Sequence, residues 1–206
     1  MQLFLNNNSL EQVSSSKHLG LLFTEDLRWS EHIDAIVKKA NSKIGLLYRT
    51  KERIQRKDKI NIYRTIIRPA LEYGNVIYDN CTICESDKIE CVQKCTARVC
   101  TGAMKRTEYK NLQTELGWNS LKSRRSVAKG CLTYKILNSQ TPEFLRQNFK
   151  TSRTPERSLR MKNRLLPIKC RLSSYSKSFF PDQSLFWNKL SSNLVNKGVG
   201  GPNFLL

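Results

Sequence analysis

The sequence predicts a mainly α-helical protein: a short β-hairpin region over residues 1–28, a bundle of five to six helices over 29–149, and a basic, partly extended C-terminal arm over 150–206. Three observations carry this expectation. Apolar residues recur at helical spacing from 30 to 135, with capping signals between the runs. Before residue 24, short apolar runs alternate with turn formers. Beyond residue 150, Ser, Arg and Lys crowd a stretch that has no apolar stripe.

Taken in order, residues 2–23 read LFL, NNNS, LEQV, SSS and HLGLLF, which predicts two or three short strands joined as hairpins. So small a sheet needs helices behind it, or further strands preceding Met1. Ser30 is the expected N-cap of the first helix, in which Ile33, Ile36, Val37, Ala40, Ile44 and Leu47 form one stripe and Lys38, Ser42 and Arg49 face the other way. A basic connector, RTKERIQRKDK (49–59), follows, and it reads equally as a solvated loop and as a phosphate-facing segment. The run 57–79 is the expected centre of the bundle. There Ile60, Tyr63, Ile67 and Leu71 share one face and Ile62, Ile66 and Val76 a second, which predicts burial on both sides. Pro69 offers no amide to the carbonyl of Thr65, so a bend is expected just before it, and Gly74 should loosen the helix end.

Thr82 and Glu85 have the spacing of a capping box and open a third helix, with Ile89, Val92, Thr96, Val99 and Cys100 on one face up to Gly102. Thr107 and Gly117 bracket a short fourth. Ser120 caps a fifth, with Leu121, Ala128, Leu132 and the Lys135 methylenes inward, and Pro142 should occupy the first position of a last short turn. After the arm, Phe179, Phe180, Leu185, Phe186, Trp187 and Leu190 form an apolar cluster expected to dock back on the helices, since exposed aromatics in such density invite aggregation.

The formal charge of +19 is unevenly placed. Residues 1–116 hold 19 Lys/Arg against 14 Asp/Glu, whereas 117–206 hold 17 against 3, or +5 and +14. More than half of the later cations lie between 150 and 177, where Glu156 is the one acid. Such an imbalance keeps a protein on polyanions at physiological salt. The candidate phosphate contacts are Lys38, Lys39, Lys43, Arg49, Arg53, Arg56 and Lys57 in the first half and Lys150, Arg153, Arg157, Arg160, Lys162 and Arg164 in the arm. The expected partner is duplex nucleic acid or an RNA/DNA hybrid, bound without sequence preference. No apolar run approaches the roughly 18 residues of a membrane span, and MQLFLNNN is too short and polar for a signal peptide. Seven cysteines, an odd number set within apparent helices, suit a reducing compartment, so the expectation is an intracellular protein of nucleus or cytoplasm without a membrane partner.

Catalytic signals are sparse. Cys81 and Cys84 form a Cys-x-x-Cys with Cys91, Cys95 and Cys100 close behind, which raises zinc. On one helix, however, Cys84 and Cys91 would stand roughly 10 Å apart along the axis, so small buried hydrophobes are the better reading and no metal site is expected. His32, in the first turn of a helix, reads as a packing or capping residue and not as a base. There is no nucleophile elbow, no phosphate loop and no adjacent pair of Asp residues to hold two magnesium ions. No catalytic residue and no cofactor are therefore assigned.

Six segments in order resemble the region C-terminal to the polymerase active site of reverse transcriptases from non-LTR retrotransposons of the LINE or jockey-like type. They are KHLGLLFTEDLRWSEHI (17–33), KIGLLYR (43–49), IYRTIIRPALEYGNVIYDNC (62–81), LQTELGWNSLKSRRS (112–126), CLTYKILN (131–138) and SFFPDQSLFWNKL (178–190). The resemblance implies that the strands up to Phe23 are the edge of the polymerase palm and that the helices are a thumb, which holds the primer–template duplex. It also implies a fragment. The Tyr-x-Asp-Asp loop of the family does not occur in these 206 residues, Tyr78-Asp79-Asn80 is no substitute, and Mg2+ would belong to the missing palm, itself a partner in the parent protein. As an isolated chain it is expected not to be an enzyme. The alternative is a free-standing basic helical module, derived from such an element, that binds nucleic acid or a protein.

Overall fold

The computed structural model describes residues 4–5, 8–9, 11–150 and 164–190. These residues are mainly helical, with short antiparallel hairpins at the start. Strands β1 (Phe4–Leu5) and β2 (Asn8–Ser9) pair, as do β3 (Ser15–His18) and β4 (Leu21–Thr24). The hairpins are where they were expected, and β1 and β4 fall in the apolar runs LFL and HLGLLF, but β2 and β3 do not come from LEQV. Residues 11–13 lie outside any strand, and two of the three serines read as a turn, Ser15 and Ser16, open strand β3. The reason is the turn itself. Leu19 (φ 46°) and Gly20 (φ 85°) both take positive φ, the geometry of a two-residue hairpin turn matched to strand twist, and β3 is solvent-exposed along its length, so serine costs it little.

The described residues divide into two compact units. The first takes those of Met1–Gly74 and Cys81–Trp118, and the second takes Asn75–Asn80 and those after Trp118, so the units do not part at 28/29 or 149/150.

In the first unit, α1 (Ser30–Arg49) runs along α5 (Ile83–Thr101). Ile33, Ala40, Ile44 and Leu47 are buried as the stripe predicts. Ser30 is not the N-cap, which is Trp29. The Ser30 hydroxyl instead donates to Glu85 Oε1 at 2.5 Å. The capping box of α5 is complete: Thr82 N–H donates to Glu85 Oε2 (2.7 Å), and Glu85 N–H donates to Thr82 Oγ1 (3.3 Å). Glycines in the left-handed conformation end α5 at Gly102 (φ 73°) and α6 (Tyr109–Leu116) at Gly117 (φ 62°).

The central segment consists of α2 (Arg56–Ile62), a π turn (Tyr63–Ile67) and α3 (Arg68–Glu72). The irregularity expected before Pro69 takes the form of this π turn, in which Arg68 N–H reaches back to the carbonyl of Tyr63. Tyr63, Ile67 and Leu71 are fully buried. The Tyr63 ring stacks on Trp118 with centroids 4.0 Å apart, and its hydroxyl donates to Gln93 Oε1 at 2.8 Å. Burial on a second face does not occur. Ile66 is 48% exposed, Ile62 is half-buried, and Val76 sits beyond Gly74 on a separate helix, α4 (Asn75–Tyr78). Gly74 (φ 66°) is where α3 meets the hairpin: the left-handed backbone strains any other residue, a Cβ there would stand 2.7 Å from Leu21 Cδ2 and force that side chain to shift, and the neighbouring Tyr73 hydroxyl donates to the carbonyl of Leu19 at 2.7 Å.

In the second unit, α4 packs on α7 (Leu121–Leu137), and α7 packs on α8 (Glu143–Arg146) and on α10 (Phe179–Lys189). Ser120 caps α7, accepting from Ser123 N–H at 3.1 Å. Leu121 is buried and Leu132 packs on the core as expected, Lys135 is exposed, and Arg125, Gly130, Thr133 and Ile136 are also buried. Pro142 is the cap of α8, not its first helical residue. Ile136, Phe149, Leu165 and Trp187 form the core, with Phe179, Phe180 and Leu190 packed around them, so the aromatic segment docks on α7 as expected while Leu185 faces solvent. The stretch read as a linker is partly tied down as well. Asn188 binds the backbone of Leu165 from both ends of its amide (3.0 and 2.8 Å), and Leu166 N–H donates to the carbonyl of Lys150 at 2.8 Å. A short helix, α9 (Ser173–Ser176), precedes α10.

Candidate nucleic-acid interface

On α1, Lys38 and Arg49 lie on the face opposite the buried stripe, with Ser42 between them, and Lys39 is exposed beside them. Lys43 borders the core and donates to the carbonyl of Ile66 at 3.1 Å. The connector is shorter than expected because α2 begins at Arg56. Arg53 is exposed in the loop, and Arg56 is held by Glu115 at 2.6 Å. Lys57 is exposed in the first turn of α2. Lys150 and Arg164 are exposed in the second unit, and Arg153, Arg157, Arg160 and Lys162 lie outside the described residues. The first-unit candidates thus separate into free cations (Lys38, Lys39, Arg49, Arg53, Lys57) and two with intramolecular work (Lys43, Arg56).

The second unit disposes of its charges in a particular way. Asp79 accepts from Arg125 Nε at 2.8 Å through one carboxylate oxygen and from Lys129 Nζ at 2.5 Å through the other. Lys129 also reaches Asp182 at 2.6 Å, and Gln183 links Asp182 (3.0 Å) to the buried Thr133 hydroxyl (3.2 Å). Burial pulls the Lys129 ammonium down, but hydrogen bonds to Asp182 and Asp79 outweigh it and leave its pKa raised. Two acids therefore answer two cations inside the unit. Glu143 is the remaining acid among its described residues, while Lys122, Lys135, Arg146, Lys169, Arg171 and Lys177 stand exposed together with Lys150 and Arg164. The exposed charges among the unit's described residues are mostly cationic, although Glu143 is exposed and the Asp182 side chain is 42% exposed. Charge counting along the chain shows the excess but not this partition, since the partners are 46 to 53 residues apart.

His32 is buried, accepts from Leu22 N–H at 3.3 Å through Nδ1, and sits edge-on to Trp29. Burial holds its pKa below the ordinary value. The unfolded chain therefore binds the proton more readily, so the contribution of His32 is complete above about pH 6.5 and is lost as pH falls toward the folded pKa. Urea midpoints between pH 7 and 5 should fall for the native chain and fall less for His32→Gln; equal slopes would show that His32 has no part in the acid response.

Cys84, Cys91 and Cys95 all lie on α5, and no group of three or more His, Cys, Asp or Glu among the described residues could hold a metal ion. No helix among the described residues is long and apolar enough to cross a membrane. Comparison with protein-family models, curated proteins and solved structures finds no match to the chain. What fold and surface define together is a mainly helical protein with a strongly cationic face.

Proposed function

We propose that the chain grips duplex nucleic acid, an RNA/DNA hybrid or DNA, through phosphates and without reading bases, as a thumb-like part of a retrotransposon reverse transcriptase that acts inside the cell, in nucleus or cytoplasm. The observation that carries the binding is the second unit's described surface, where cations face water in excess of acids because Asp79 and Asp182 are paired with Arg125 and Lys129. The six ordered segments supply the particular family. Catalysis is not part of the proposal. Both oxygens of Asp79 are engaged by cations, and the metal-binding carboxylates would belong to a palm outside these residues. The second reading, a free-standing binding module, is favoured by the two units each having a buried core of its own. An in-frame palm with paired aspartates upstream would decide for the polymerase.

The binding is tested by titrating duplex DNA and an RNA/DNA hybrid against salt, for the native chain and for a variant with Lys150, Arg164, Lys169, Arg171 and Lys177 changed to Gln. If these five neutralise about five phosphates, their loss should flatten the log–log salt slope by about 4.5. In the native chain these contacts alone would then weaken binding about 500-fold over a fourfold rise in salt. Duplexes of scrambled sequence should bind alike. An unchanged slope would move the contacts to Lys38, Lys39, Arg49, Arg53 and Lys57, and no binding to either duplex would end the proposal. Truncation after Phe149 is not a fair test, because it removes Leu165 and Trp187 from the core.

A further inference from the structure

Cys91 and Cys95 stand one turn apart on α5, the first exposed and the second half-buried. At this spacing the Cβ atoms are roughly 5–6 Å apart, close enough for both sulfurs to meet one ion. Burial and the neighbouring Cys91 hold the Cys95 thiol above its ordinary pKa, and Arg98 and Lys94 oppose this only in part. Cys84 is two turns away on the same face, about 10 Å along the axis, and cannot join it. Cys100 is buried, with its thiol pushed up to about 11. We infer that Cys91 and Cys95 form a two-coordinate site for a soft monovalent cation, Cu(I), on the exposed side of α5.

The chemistry selects the ion. A structural zinc site takes four ligands, and no third His, Cys, Asp or Glu joins this pair among the described residues. Thiolates are the soft ligands that select Cu(I), and that ion is satisfied by two of them. Binding forms two copper–sulfur bonds, releases both thiol protons to solvent and changes no oxidation state. The resulting bis-thiolate centre carries one negative charge.

Anaerobic titration of the full chain with Cu(I), in competition with bicinchoninate, tests the site. One ion per chain is expected; Cys91→Ser and Cys95→Ser should each weaken binding about a hundredfold, and Cys84→Ser should leave it within about twofold. Helix content by circular dichroism should be the same for all four proteins, because the substituted sulfurs lie outside the core. Equal binding by native chain and Cys91→Ser/Cys95→Ser, a comparable loss in Cys84→Ser, or no binding by the native chain would each overturn the assignment.

Discussion

Asp79→Ala should destabilise the protein by about 3–5 kcal/mol, the range for removing one partner of a buried ion pair. The side chains of Arg125 and Lys129 are 3% and 11% exposed, and Asp79 answers both. Without it, Lys129 keeps Asp182, but the Arg125 guanidinium loses its carboxylate in a place where water cannot replace it. The measurement is urea unfolding of the full chain followed by circular dichroism. Combining Asp79→Ala with Arg125→Met should recover part of the loss, since the stranded charge is then gone and a side chain of similar length fills its place. A loss below about 1 kcal/mol for the single change would mean that solvent reaches Arg125 and that the pair is an ordinary surface contact.

Trp187→Ala should cost a similar amount, about 3–5 kcal/mol, from lost burial and the cavity left behind. The indole is 4% exposed and completes the cluster of Ile136, Phe149 and Leu165, so its loss takes a contact from each segment of the chain that builds the second core. Set against a total stability of about 5–15 kcal/mol, that is a large share. Leu185, two residues earlier on the same helix, is 51% exposed, and Leu185→Ala should stay within about 0.5 kcal/mol. Equal losses at the two positions would show that α10 is not docked by its Trp187 face.

The contrast between what could and could not be read from the chain follows the range of the interactions. Thr82, Glu85, Gly102, Gly117 and Ser120 were legible because each acts on backbone groups within a turn or so of itself. Ser30 has the right identity for a cap, yet its partner is Glu85, 55 residues on. The apolar second face of the central segment was real as a pattern; what leaves Ile66 in solvent is where the neighbouring helices lie and how the π turn shifts the register. The candidate site shows the same division. An excess of cations is additive and can be counted, whereas the withdrawal of Lys43, Arg56, Arg125 and Lys129 into internal bonds depends on residues 23 to 59 positions away.

The excursion of Asn75–Asn80 bears on how the chain is made. These residues leave the first unit at Gly74, serve the second, and return at Cys81. On the ribosome they emerge more than forty residues before Arg125 and Lys129, so the carboxylate of Asp79 precedes the cations that answer it. The first unit can close once residue 118 is made, but α4 has nothing to pack on in its own unit until α7 is complete. A pause in translation between residues 80 and 121 would lengthen the interval in which residues 75–80 lack their α7 partners.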